Sequence, residues 1–220
     1  MGKLGLGCLL VLLAIVVICA ISFAGTYNKL VSLGQEVDKS WAEVENQYQR
    51  RADLIPNLVS TVQGAANFEK ETLTAVTEAR ASVGRATITP GQAPTDPAAL
   101  AKYQAAQDQL GSALQRLLVV SERYPELRAN QNFRDLQAQL EGTENRITVA
   151  RGRFNEAAQS FNTVLKRFPT NMIAGLFGFK ERPYFKATTP GAEQAPKVQF
   201  NFNAPTAAPG NPAPTAAPAH

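Results

Sequence analysis

Acid–base, metal and nucleophilic chemistry ask for histidines, thiols or carboxylates at fixed spacings. The single histidine is His220, and the two cysteines, Cys8 and Cys19, both lie in an apolar N-terminal stretch. The rest of the chain therefore has no thiol for a disulfide, a zinc site or a nucleophile, and cysteine usage says nothing about redox compartment. Carboxylates occur singly or on helix faces, where solvation and ion pairs account for them. No P-loop, dinucleotide fingerprint, H-E-x-x-H or G-x-S-x-G is present. The expectation is a protein that is not an enzyme and holds no cofactor or metal.

What remains is a set of polar residues on apolar seams. Arg51 falls on the seam of the first predicted helix, with apolar Val44 and Leu58 one heptad either side. A buried arginine is costly unless paired. Its stem can pack while its head reaches water or pairs with Glu144; alternatively it joins a network with Asn145, Arg151 or Asn155. Pro56 is expected to kink the segment Arg51–Asn57, which carries Asp53, and to free the carbonyl of Ala52 for the guanidinium. Near the seam of the fourth predicted helix sit Asn145, Arg146, Arg151, Asn155 and Asn162, and Arg151 and Asn155 are four apart, hence on one face. Arg51, Asp53, Pro56, Asn57, Glu144, Asn145, Arg146, Arg151 and Asn155 thus form a candidate polar belt. Satisfied polar groups of this kind fix helix register, or they line a ligand pocket.

The elements that must position this belt are long helices. From Gln131 to Phe168, the residues Phe133, Leu136, Leu140, Thr143, Ile147, Ala150, Phe154, Ala157, Phe161, Val164 and Phe168 recur in steps of three and four. At roughly 1.5 Å per residue this helix is about 55 Å long. The first helix continues the same rhythm: Tyr27, Leu30, Gly34, Val37, Trp41, Val44, Tyr48, Arg51, Ile55, Leu58 and Val62. A second helix is expected from Phe68 to Ala86, then a loop from Thr87 to Pro97. Asp96-Pro97 caps a third, carrying Leu100, Tyr103, Leu110, Leu114 and Leu117 to Glu122. Tyr124-Pro125 ends or bends it.

Leu4 to Ala24 contains no charge and suits a bilayer core in length. The run is long for a cleaved signal peptide, so an uncleaved anchor is expected, with Gly25 as its one soft joint. Lys3 on one side and Lys29 and Lys39 on the other leave the orientation nearly balanced. A net charge of +4 with only short basic clusters excludes a nucleic-acid stripe. After the fourth helix, Met172–Phe179 is apolar, glycine-rich and too short to span a membrane. It reads as a cap on the open end of a bundle, or as a loop that touches the membrane. From Pro190 to Pro218 there are seven prolines, a composition expected to be disordered, with Lys197–Phe202 alternating like a short strand.

Several segments taken in order resemble the LemA family. They include Trp41–Arg51, Asp53–Val59, Glu71-Thr72-Leu73, Ala79-Arg80, Glu122–Leu127, Asn130, Asn132-Phe133, Leu136-Gln137, Thr143–Ile147, Ala150-Arg151, Phe154-Asn155, Phe161-Asn162, Phe168-Pro169 and Phe177–Phe179. The resemblance implies a bacterial membrane protein with one N-terminal membrane helix and an antiparallel helical bundle, of no agreed biochemical activity. It also implies envelope partners, TPM-domain membrane proteins among them. Residues and resemblance together predict an all-α chain: a transmembrane anchor at 1–25, an antiparallel bundle of four long helices at 26–186, and a disordered Pro/Ala-rich tail at 187–220. The expected role is a single-pass scaffold of the bacterial cell membrane that binds the bilayer, other envelope proteins or its own copies, and no nucleic acid. The alternative is a sensory or regulatory module with a ligand in the polar belt.

Overall fold

The computed structural model describes residues 2–186 apart from 65–67, 87 and 90. It is all-helical among the described residues: α1 Gly2–Gln63, α2 Lys70–Arg85, α3 Pro97–Ser121, α4 Pro125–Ala129, α5 Gln131–Lys166 and α6 Thr170–Phe177. The compact unit ends at Lys186. The expected disordered tail and the strand-like Lys197–Phe202 lie outside the described residues.

The local chemistry explains the helix starts. Asp96 accepts from the backbone N–H groups of Ala98 and Ala99, and Pro97 follows at a position where its missing N–H costs nothing. Asn130 accepts from Asn132 and Phe133 in the same way and starts α5. Between them, α3 stops at Ser121 and the short α4 turns the chain.

The 62-residue α1 has two different environments along one rod, which at 1.5 Å per residue is roughly 90 Å long. Its first part is bare: the large apolar side chains from Leu9 to Ile21 are 49–68% exposed. It is the one helix among the described residues long and apolar enough to cross a membrane, by length and composition. Its second part is buried on one face, with Leu30, Val37, Trp41, Val44 and Leu58 at 0% exposure. The helix runs unbroken through Gly25 and through Pro56. Pro56 is exposed, so the hydrogen bond it removes lies on the watered side and its neighbour Ile55 stays in the core.

α5 runs antiparallel to this half of α1: Glu43 pairs with Arg153 and Arg51 with Glu144. α2 and α3 pack on each other and close the bundle. The core forms two clusters. One gathers Leu30 to Tyr48 with Leu100, Ile147, Phe154 and Phe161; the other gathers Ile55 to Val62 with Val76, Leu110, Leu117, Phe133 and Leu140. Each fully buried aromatic or aliphatic side chain contributes about 1.5–3 kcal/mol through loss of apolar area to water.

Two details differ from the seam read off the sequence. Ala158 is buried at 0% and Ala157 is not. An α-helix turns every 3.6 residues, so a 3.5-residue seam drifts around it over several heptads. Phe168 is 80% exposed, because α5 ends at Lys166 and Arg167 takes an extended backbone, ψ 143°. The segment after it is the expected cap in part: α6 buries Ile173 and Ala174 but leaves Met172 and Leu176 outside.

Candidate functional site

A polar layer separates the two core clusters. Its centre is Arg51, 2% exposed on the inner face of α1. Arg51 Nη1 donates to Glu144 Oε2 of α5 at 2.8 Å. Arg51 Nη2 donates to both oxygens of Gln107 on α3, the side-chain Oε1 at 2.6 Å and the backbone carbonyl at 3.0 Å. The guanidinium also lies 5.4 Å from the centre of the Tyr48 ring, in reach of its negative face. Three helices are thus locked at one level by a single side chain.

The expected acceptor, the Ala52 carbonyl, is not used. Side chains on a helix lean toward its N-terminus while carbonyls point toward its C-terminus, so the fork and that carbonyl diverge.

One turn toward the anchor a second arginine repeats the arrangement. Arg151 Nε donates to the Tyr48 phenol oxygen at 2.6 Å, and its Nη2 pairs with Asp108 Oδ1 of α3 at 2.9 Å. The layer is charge-balanced: Arg51 and Arg151 face Glu144 and Asp108. Arg151 is held above the ordinary arginine pKa: burial works against its charge, and Tyr48 and the bond to Asp108 outweigh it. Burial pushes the Tyr48 phenol up to about 12, despite the two nearby arginines, and also raises Tyr103.

The Tyr48 shift makes a pH prediction. The folded value of about 12 lies above the unfolded value near 10, so the neutral phenol is the form that suits the fold. Its contribution is fully present below pH ~10 and is lost as pH rises from ~10 through ~12, at about 1.4 kcal/mol per pH unit. Urea unfolding across that range should show the loss, and Tyr48→Phe should remove it. An unchanged slope in Tyr48→Phe would assign the loss to other groups.

Of the belt residues expected from sequence, the structure brings together Arg51, Glu144 and Arg151. Asn155 lies one turn beyond and does different work. Asp53, Pro56 and Asn57 face outward on α1, where Asp53 accepts from Gln49. They are two to six residues from Arg51, on the opposite side of the helix. Asn145 and Arg146 are also exposed, and line a shallow groove between α1 and α5 with Glu43, Gln47, Val149 and Arg153. The centre of the belt is occupied by the side chains of Arg51, Gln107, Tyr48 and Arg151. Sequence reasoning missed Gln107, Asp108 and Tyr48 as members. The available signal was the third helix's stripe, where Gln107 fills the gap between Tyr103 and Leu110.

A second polar device sits beside it. The non-helical segment 179–186 returns along the bundle as a strap held by three amide side chains. Asn162 donates to the Arg182 carbonyl at 2.7 Å and accepts from the Arg182 N–H at 2.9 Å. Asn155 does the same for Phe185, at 3.1 and 2.9 Å. Gln104 does so for Lys186, at 2.9 and 3.2 Å. Each amide carries one donor and one acceptor face, which matches the N–H and C=O of a single backbone residue. Phe185 fills the space between Trp41 and Phe154, and Arg182 reaches the Ala93 carbonyl and Asp38, tying down the loop before α3. Among the described residues no group of three or more His, Cys, Asp or Glu gathers to hold a metal.

The sequence model of the LemA family matches residues 40–200, a stretch that contains both polar devices. Magnetosome protein MamQ 2 of Paramagnetospirillum magneticum is 26% identical over 212 residues, covering 86% of this chain and 76% of the relative. MamQ of Magnetospirillum gryphiswaldense is 26% identical over 202 residues, covering 83% and 74%. Protein LemA of Metamycoplasma hominis is 24% identical over 152 residues, covering 69% and 65%. With nearly three-quarters of its length matched, and with the helices, the belt and the strap all inside or overlapping that match, the chain belongs to the LemA family.

Proposed function

We propose that this chain is a non-enzymatic, single-pass scaffold of the bacterial cell membrane, whose bundle presents outer faces to other envelope proteins. The observation that carries the reading is the division of α1. One continuous helix is bare and apolar at one end and forms the buried seam of the bundle at the other. A rod of this kind transmits position from the bilayer to the bundle without a flexible hinge. The packed belt supports a scaffold over the alternative of a ligand sensor, because its two arginines already pair with Glu144, Asp108 and Gln107. The relatives' names, magnetosome protein and LemA, specify no reaction. Partners are membrane proteins of the TPM-domain kind or further copies of this chain, and the α1–α5 groove around Asn145 and Arg146 is the surface offered to them.

The test uses the full chain in bacterial cells. Alkaline extraction should leave it in the membrane fraction with its mass intact, and a photo-crosslinker in place of Arg146 should give a discrete protein adduct. Recovery with Gly25 as the first residue would mean a cleaved signal peptide. Membrane retention without an adduct would leave the anchor and remove this groove as the docking face.

A further inference from the structure

We infer that α6 and the turns around it are a second membrane contact, lying in the headgroup–acyl boundary of the bilayer that α1 enters. This rests on reading α1 as the anchor. The first observation is position. Phe177 of α6 packs against Phe23 and Tyr27, with ring centres 5.8 and 4.8 Å apart, and Phe179 packs against Tyr27 at 5.8 Å. Those α1 residues stand where the bare apolar stretch ends and the buried seam begins. Aromatic residues are enriched at that level of a membrane protein, where one side of the ring is apolar and the other wet.

The second observation is exposure. Phe168 is 80% exposed, Met172 66%, Leu176 74% and Phe177 50%. Met172 and Leu176 are one turn apart on α6, while Ile173 and Ala174 on its other side are buried in the bundle. A helix apolar on both faces needs an apolar partner on each. In water, neighbouring apolar side chains this exposed are unfavourable. Phe177 joins it to the half-exposed Phe23 of α1, so the same lipid phase that covers Leu9 to Ile21 reaches it without a further partner. The third observation is charge. Lys29, Arg167 and Lys180 are exposed around the patch, as expected for basic side chains at the level of lipid phosphates. The arrangement gives the bundle two points of attachment, which fixes its tilt and its rotation about α1.

The experiment uses the full chain with Cys8→Ala and Cys19→Ala, reconstituted in vesicles of phosphatidylcholine and phosphatidylglycerol. Three single labels are compared: Leu176→Cys in α6, Ile15→Cys in the anchor, and Ala138→Cys at the exposed far end of α5. A fluorophore at each is quenched either by lipids spin-labelled near the headgroup or by aqueous iodide. The label at 176 should be quenched several-fold more by the lipid than the label at 138, and be protected from iodide. A 176 label open to iodide and untouched by lipid overturns the inference while a lipid-quenched 15 label keeps the anchor. Protection from both quenchers also overturns it, and identifies a second copy or the bundle itself as the cover. If the 15 label is not quenched by lipid, the anchor reading has failed and this inference falls with it.

Discussion

Arg51→Leu should lower the stability of the bundle by about 3 kcal/mol, and adding Gln107→Leu should return most of that loss. The two partners of Arg51 differ in what they lose. Glu144 is 54% exposed, so after the change its carboxylate turns to water at little cost. Gln107 is 2% exposed and cannot. Its carbonyl keeps its donor within the α3 ladder, but its side-chain oxygen loses Arg51, and a buried acceptor left without a donor costs about 1–3 kcal/mol. Loss of the cation over the Tyr48 ring adds about 0.5–2 kcal/mol. The double variant removes the orphaned group, and a buried ionic cluster replaced by apolar residues of similar size is often neutral or stabilising. Chemical denaturation of the four members of the cycle gives the coupling directly. A single variant as stable as the parent would mean that the guanidinium contributes nothing net. A double variant worse than the single would mean that Gln107 matters for something other than receiving Arg51, such as its hydrogen bond with Tyr103.

The same layer shows how far the sequence could be read. Each of three apolar stripes contains one polar interruption: Arg51 on α1, Gln107 on α3 and Thr143 on α5. The three stand between the two core clusters, and all three are buried. The rhythm of three and four places them on inner faces, so a polar layer is legible from spacing. Which acid or amide completes it depends on how α1 and α5 are rotated against each other. Their spacing alone does not set that angle, and so Asn145 and Arg146 looked as eligible as Glu144. The strap was less legible, for a physical reason. Asn162, Asn155 and Gln104 bind backbone N–H and C=O groups, which every residue but proline carries. The side chains that do match, Arg182 with Asp38 and Tyr184 with Asn162, are single contacts between distant positions and form no repeating pattern. A periodic trace is that Asn155 and Asn162 are seven apart, hence on one face of α5.

Phe154→Ala should be the most damaging single change in the bundle, at about 3–5 kcal/mol. The ring is 0% exposed, with Trp41 at 5.5 Å and Phe185 at 5.4 Å between centres. Its removal leaves a cavity between α1, α5 and the strap that none of the three can close without moving off its other contacts. Asn155→Ala, one residue further along, should cost only about 1 kcal/mol, because the two bonds to Phe185 that it removes are only partly buried and water can replace the amide. Amide exchange separates the two roles. The N–H groups of Arg182, Phe185 and Lys186 belong to no helix, and each donates to one amide side chain. In Asn155→Ala the Phe185 amide should lose its protection while α1 and α5 keep theirs. In Phe154→Ala all three strap amides and the neighbouring turns of α1 and α5 should exchange faster together, since the ring joins strap to core. Equal losses of stability in the two variants would show that the amides hold the strap and that Phe185 merely follows them.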